Sequence, residues 1–119
     1  MHAAPARDED GLLFANLVDF DSVWGHRNDV AGFAAGLDAV DAAIPGWETL
    51  LEDEDVMMLC ADHGVDPTTE STDHSREYSP LLALGLAPGR YDGAQEDVGA
   101  TAFAHLTGEE PPLPGRPIG

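Results

Sequence analysis

GLLFANLVDFDSVWGHRND, residues 11–29, is the stretch on which the reading of this chain turns. Its first ten residues form a nearly continuous apolar run that ends in acid, the pattern of a buried parallel strand whose last residues reach a functional edge. Downstream, Val30, Phe33, Ala34, Leu37, Val40 and Ile44 recur at intervals of three and four, which predicts an amphipathic helix from about residue 28 to 44. Pro45 then ends that helix or opens a short second one through Leu51. VMMLCA, residues 56–61, reads as a second buried strand stopping at Asp62 and His63, and residues 80–84 as a third after a polar loop over 64–79. Residues 96–106 carry Val98, Ala102, Phe103 and Leu106 on one side and read as a closing helix. Strand, helix, strand, loop, strand, helix is an α/β pattern, and such folds place their sites at the carboxyl ends of strands. Residues 1–10 read as a disordered lead-in, 11–107 as the folded portion and the Pro- and Gly-rich residues 108–119 as a loose tail.

The charge balance excludes several functions. Twenty-three acidic residues face five arginines and no lysine, for a formal net charge of −18. Such a surface repels nucleic acids and anionic membranes, so neither is an expected partner. The acids are spread along the whole chain, which suits a salt-rich setting, where self-repulsion is screened, or a GC-rich coding bias. No apolar run is long enough to span a membrane and the N-terminus has no hydrophobic signal region, so the expected location is cytoplasmic. Cys60 is the only cysteine and lies in an apolar run; it reads as a small buried thiol and not as a nucleophile.

Three short segments carry the chemistry. VDFDSVWGHRND offers Asp19, Asp21 and His26 after the first expected strand; CADHG offers Asp62 and His63 where the second exits, with Gly64 to allow a turn; STDHSREYSPLL offers Asp73, His74, Arg76 and Glu77 before the third. Singly, each is matched by a bland reading: a solvated acidic loop, a surface histidine on a turn and, for Arg76, which could bind phosphate, a structural ion pair with Glu77. Together they place three of the five histidines beside carboxylates at strand boundaries, leaving His2 and His105 as incidental. Carboxylate and imidazole ligation without thiolate suits Mn²⁺, Zn²⁺ or Mg²⁺, with manganese the natural fit. Paired metals about 3.5–4 Å apart are a standard clamp for a transferring phosphoryl group.

On these residues the chain resembles the C-terminal part of phosphopentomutases, within the alkaline phosphatase superfamily. NLVDFDSVWGHRNDVAGFAAGLD, ADHGVDPT and STDHSREYSPLLALG carry the resemblance, over roughly residues 11–107. It implies an α/β fold with a mostly parallel sheet flanked by helices, and two manganese ions at the strand ends. It implies that Asp21, His26 and His74 hold one ion and Asp62 and His63 the other. The reaction implied interconverts ribose 1-phosphate and ribose 5-phosphate, or the deoxyribose equivalents, through a phosphorylated threonine that gives its phosphoryl group to the sugar phosphate and regains one from the other position. The family's N-terminal strand, with the aspartate that completes the second site, its nucleophilic threonine and its inserted cap domain have no counterpart here. Thr68, Thr69 and Thr72 do not match the nucleophile segment, Val65 stands where a polar residue is expected after ADHG, and QEDVG (95–99) departs from the family. The resemblance therefore implies a pentose phosphate substrate handled with an N-terminal phosphopentomutase half or by self-association. The alternatives are a non-catalytic remnant that binds divalent metal weakly, and a stand-alone metal-dependent phosphatase.

Overall fold

In a computed structural model, which describes residues 11–112 and 114–119, the chain forms two compact units. One is Asn16–Ala87; the other combines residues 11–15 with Pro88–Gly119. The lead-in expected over residues 1–10 lies outside the described residues.

The first described residues depart from their expectation. Residues 11–17 take no regular structure, and Leu12, Leu13 and Phe14 are exposed. A strand must exchange its backbone hydrogen bonds with a neighbour, and no described strand pairs with this one. The chain instead winds into a π-helical segment, Phe20–Gly25. Its wide turn is set by bonds five residues long: His26 N–H to the Asp21 carbonyl at 3.0 Å and Asp29 N–H to the Trp24 carbonyl at 2.9 Å. Asn28 then takes a left-handed conformation with φ 51°, which short polar side chains tolerate.

Helix α1, Val30–Glu48, starts on Asp29, whose carboxylate accepts from Gly32 N–H at 2.9 Å as an N-cap. It runs through Pro45 without a break. Proline removes the hydrogen bond to the carbonyl four residues earlier, and both Asp41 and Pro45 are exposed, on the side of the helix open to solvent. The helix buries a face narrower than the apolar spacing suggests: Gly36 is buried and Phe33 and Val40 half-buried, but Val30, Ala34 and Leu37 are exposed. What covers this face is Trp24. A methyl group on Gly32 or Gly36 would overlap its indole ring. Phe20 packs edge-on against Trp24 and against Phe33, each with centroids 5.1 Å apart. Two side-chain-free positions one helical turn apart thus make the seat that fixes the π-helical segment on α1.

Strands β1, Met57–Cys60, and β2, Leu81–Leu84, form the one sheet among the described residues, with Met57 opposite Leu84 and Cys60 opposite Leu81. The pair is antiparallel, where a mostly parallel sheet was expected. The strand positions agree with the apolar runs; their relative direction does not follow from apolarity, which reads the same in either sense. Gly85, with φ +85°, closes β2 against Asp55, where a side chain would strike the Asp55 carbonyl. Cys60 is exposed and not buried.

In the smaller unit, helix α2, Glu96–Thr107, ends on Gly108 in the left-handed conformation that commonly terminates helices. Asp97 is buried and heavily bonded. It accepts from the Tyr91 hydroxyl, from Ala94 N–H at 2.8 Å and from Arg116 N–H at 2.5 Å. Thr101 Oγ accepts from Ile118 N–H at 2.9 Å, so the C-terminal residues lie on α2 through two backbone donors. The Tyr91 hydroxyl, then the Arg116 and Ala94 amides, hold the Asp97 carboxyl below the usual carboxylate range. No helix among the described residues is long and apolar enough to cross a membrane.

Two outcomes are expected. Gly36→Leu, which places bulk under Trp24, destabilises the chain by about 1–3 kcal/mol, the usual cost of overpacking, read by urea unfolding followed on tryptophan fluorescence. Because the folded-state pKa of Asp97 is depressed, its contribution is complete above the unfolded carboxylate value of about 4 and is lost as pH falls below it. Acid titration of helicity by circular dichroism should show this loss in the wild type. Asp97→Asn should be less stable at neutral pH and lack that part of the acid response.

Candidate metal centre

Asp21 and His26 are five residues apart. In an α-helix that separation would turn the two side chains about 140° away from each other. The π-helical winding brings them to one side, and His26 Nε2 lies 3.3 Å from Asp21 Oδ1. The same carboxylate oxygen is approached by His74 Nε2 at 3.1 Å and by His63 Nε2 at 3.8 Å. His63 Nε2 also lies 3.6 Å from Asp62 Oδ1. The rings of His63 and His74 stack with centroids 3.6 Å apart, and those of His26 and His74 are 5.0 Å apart. One oxygen, contributed by the π-helical segment, thus gathers imidazoles from its own end, from the exit of β1 and from the loop before β2.

The long loop reaches this point because it is tied down at both of its approaches. Ser75 N–H donates to the Gly64 carbonyl at 3.1 Å in an isolated antiparallel bridge, and a side chain on Gly64 would collide with the Ser75 carbonyl and Glu77. Asn28 Nδ2 donates to the Thr69 carbonyl at 3.0 Å, and His26 Nδ1 lies 2.5 Å from the Thr72 carbonyl. Asp66 stiffens the intervening turn by accepting from both the Thr68 hydroxyl and the Thr68 amide, which lower its pKa in that order. Val65 packs on Gly25, where a Cβ would come within 2.9 Å of its methyl group. An apolar residue after ADHG therefore has a packing role in this chain.

The hydrogen bonds also set the protonation pattern. A carbonyl only accepts, so the Thr72 contact requires the proton of a neutral His26 on Nδ1 and leaves Nε2 with a lone pair. His63 Nδ1, 3.3 Å from the Gly64 carbonyl, is placed the same way. Both bare nitrogens face the Asp21 carboxylate. Lone pair against carboxylate is repulsive unless a cation, a proton or a metal ion, lies between them. Carboxylate oxygen with imidazole nitrogen, each ring oriented from behind by a carbonyl, is a donor set that fits a divalent metal. Ligand atoms of Asp21, His26 and His74 all lie within 4.8 Å of one another. Asp62 and His63 stand beside this group, with the Asp62 carboxylate largely solvent-exposed at 80% against 39% for Asp21. Asp19 and Asp73 are not in the cluster.

Sequence reasoning missed the groups that position these residues. The Thr72 carbonyl is main chain and leaves no residue-type signal. Asn28 was legible in principle, because an asparagine between a ligand and a helix cap is a natural left-handed turn residue.

Residues 2–109 match the metalloenzyme superfamily. The chain is 51% identical to a phosphopentomutase of Desulfitobacterium hafniense over 105 residues, which is 84% of this chain and 27% of that protein. It is 58% identical to a phosphopentomutase of Clostridium acetobutylicum over 78 residues, 66% of this chain and 20% of that protein. With a phosphopentomutase of Anaeromyxobacter sp. (strain K) it shares 54% over 101 residues, 84% of this chain and 25% of that protein. The chain spans about a quarter of the length of these curated relatives.

Metal titration tests the centre. Asp21→Ala should weaken Mn²⁺ binding by more than the roughly 10–100-fold typical of losing a supporting group, and His74→Ala should weaken it by at least about tenfold, both read by electron paramagnetic resonance of free Mn²⁺. Binding should fall as pH is lowered, since the ligands must shed protons to bind. His105→Ala, in the other unit, should change neither.

Proposed function

The chain belongs to the metalloenzyme superfamily, and from that premise we propose that it is the metal-holding C-terminal portion of a phosphopentomutase. It would act with a separate or preceding portion to interconvert (deoxy)ribose 1-phosphate and (deoxy)ribose 5-phosphate. The observation that carries this reading is the convergence of three imidazole Nε2 atoms on one oxygen of Asp21. In the proposal Asp21, His26 and His74 hold one ion, and Asp62 and His63 contribute to a second, with manganese as the metal. When bound, such ions neutralise charge on a transferring phosphoryl group and polarise the oxygen that attacks or leaves. The chain's own residues do the positioning. The Thr72 carbonyl orients His26, the π-helical winding presents Asp21, and the Gly64–Ser75 bridge delivers His74. The stacked His63 and His74 rings carry the geometry of one ligand group to the other.

The exposed apolar side chains support the need for a further portion. Among the described residues Ala100 is the one buried hydrophobic side chain, while Leu12, Leu13, Phe14 and Leu82 are 60–83% exposed. Apolar surface of this kind gains about 25 cal/mol per Å² when covered. In the proposed whole, residues 11–18 become a strand of a mostly parallel sheet, with β2 as an antiparallel member, an arrangement common in mixed sheets.

The test is reconstitution. Mixing the chain with a polypeptide that supplies the portion of a full-length relative which this chain does not span should yield Mn²⁺-dependent conversion of ribose 1-phosphate to ribose 5-phosphate, and His74→Ala should abolish it. A folded, metal-loaded pair with no mutase activity would refute the proposal. Phosphate release from a generic ester by the chain alone would instead indicate a phosphatase.

A further inference from the structure

The turn after the π-helical segment meets the long loop at two points. His26 Nδ1 lies 2.5 Å from the Thr72 carbonyl, and Asn28 Nδ2 donates to the Thr69 carbonyl at 3.0 Å. The first contact is made by a candidate ligand; the second is made by a residue outside the cluster of Asp21, His26 and His74. The Thr72 contact alone lets the preceding part of the loop pivot, whereas a second contact three residues earlier fixes its direction. The residues between are stiff enough to carry that constraint. Thr69 Oγ1 donates to the Asp66 carbonyl at 3.0 Å and lies 3.3 Å from the Ser71 carbonyl, and Asp73 N–H donates to Ser71 Oγ at 3.1 Å. Asn28 suits this place through its backbone as well as its side chain. Its φ of 51° is one that asparagine tolerates, and its own N–H donates to the Gly25 carbonyl at 3.0 Å, so the amide leaves the turn at a set angle. A single neutral hydrogen bond adds little net stability; what this one supplies is placement.

We propose that Asn28 is a positioning residue of the candidate metal centre: by holding the Thr69 carbonyl it keeps the Thr72 carbonyl behind His26, so that His26 turns a bare Nε2 toward Asp21. The inference rests on the metal reading above and adds to it the residue, outside the ligand set, on which the state of His26 depends. The tautomer follows the contact. A carbonyl only accepts, so a neutral His26 carries its proton on Nδ1 for as long as Thr72 stays within reach. Once the loop drifts, water takes the place of the carbonyl and the proton is free to move to Nε2. That atom lies 3.3 Å from Asp21 Oδ1, where an N–H becomes a donor to the carboxylate. A protonated Nε2 has no lone pair left for a cation. Asn28 thus decides, through the loop, whether His26 meets Asp21 as a ligand partner or as a hydrogen-bond donor.

Imidazole ¹⁵N nuclear magnetic resonance of the full chain, without metal and at a pH where the ring is neutral, reads the tautomer, with His26 assigned by the signals lost in His26→Ala. The wild type should carry the His26 proton on Nδ1. Asn28→Gly keeps the positive φ without strain and removes only the donor. It should shift the proton toward Nε2 and weaken Mn²⁺ binding roughly tenfold, the low end for loss of an orienting group, with helicity by circular dichroism unchanged. Asn28→Asp also tolerates the left-handed conformation but faces the Thr69 carbonyl with a second acceptor, so its loss should be at least as large. In a His26→Ala background Asn28→Gly should cost less than about twofold further in Mn²⁺ affinity, because the two changes act through one ligand. A wild type with the proton on Nε2, an unchanged tautomer or Mn²⁺ affinity in Asn28→Gly, or a full additional loss in the His26→Ala background would overturn the assignment, the last by reducing it to general loosening of the loop. A tautomer that depends on Asn28 in a chain that binds no Mn²⁺ would leave the placement of His26 standing and defeat the metal reading.

Discussion

The Trp24 indole lying across Gly32 and Gly36 is the contact on which the geometry of the larger unit rests. Any side chain at either glycine would lift the ring, and with it the π-helical segment that the ring anchors to α1. That segment carries Asp21 at one end and His26 at the other, and Gly25 within it is the surface on which Val65 packs. From His26 and Asn28 the order passes outward through the Thr72 and Thr69 carbonyls, and these hold the loop that delivers His74. A site assembled from three separated segments thus inherits its register from one aromatic ring on a helix face without side chains. Phe20 and Phe33 complete the packing, so these three aromatic residues are spent beside the candidate site.

The sequence disclosed the elements better than their arrangement. Periodicity located α1, β1, β2 and α2, because amphipathic spacing and short apolar runs are local properties. It could not set the direction of β2 against β1, nor foresee that GLLFANLVDF lacks a described partner, since strand pairing is decided by residues far away in the chain. The π-helical winding was equally hidden. Its cause is a backbone bond pattern stabilised by the Trp24 seat, and the residue types in FDSVWG are compatible with ordinary helix or loop. The candidate site itself was legible as residue types: Asp21, His26, His63 and His74 converge, with Asp62 at the margin. What residue types could not convey was hierarchy. One Asp21 oxygen is the hub, and the imidazoles are oriented by main-chain carbonyls that have no sequence signature.

Electrostatics explain why a few groups must carry so much. A strongly acidic surface opposes anion binding at long range and is screened at high salt, so the phosphate recognition proposed above would have to be local. A cation bound beside Asp21, His26 and His74 would supply attraction that such a surface lacks.

Sequence distance makes the same centre a structural element. Asp21 and His74 are 53 residues apart in the chain, and His26 and Thr72 are 46 apart. Closing loops of that length costs conformational entropy that grows slowly with loop size, and here the closure rests on a handful of exposed hydrogen bonds, each worth about 0.5–1.5 kcal/mol net. With so little buried apolar surface, those bonds have scant help from packing. A cation held between Asp21, His26 and His74 would tie the π-helical segment to the distal loop, and its binding free energy would become folding free energy for the unit. The ligand set and the loop that presents it are therefore linked: a cation or covering polypeptide bound at His74 would add its binding free energy to the few hydrogen bonds that hold the loop.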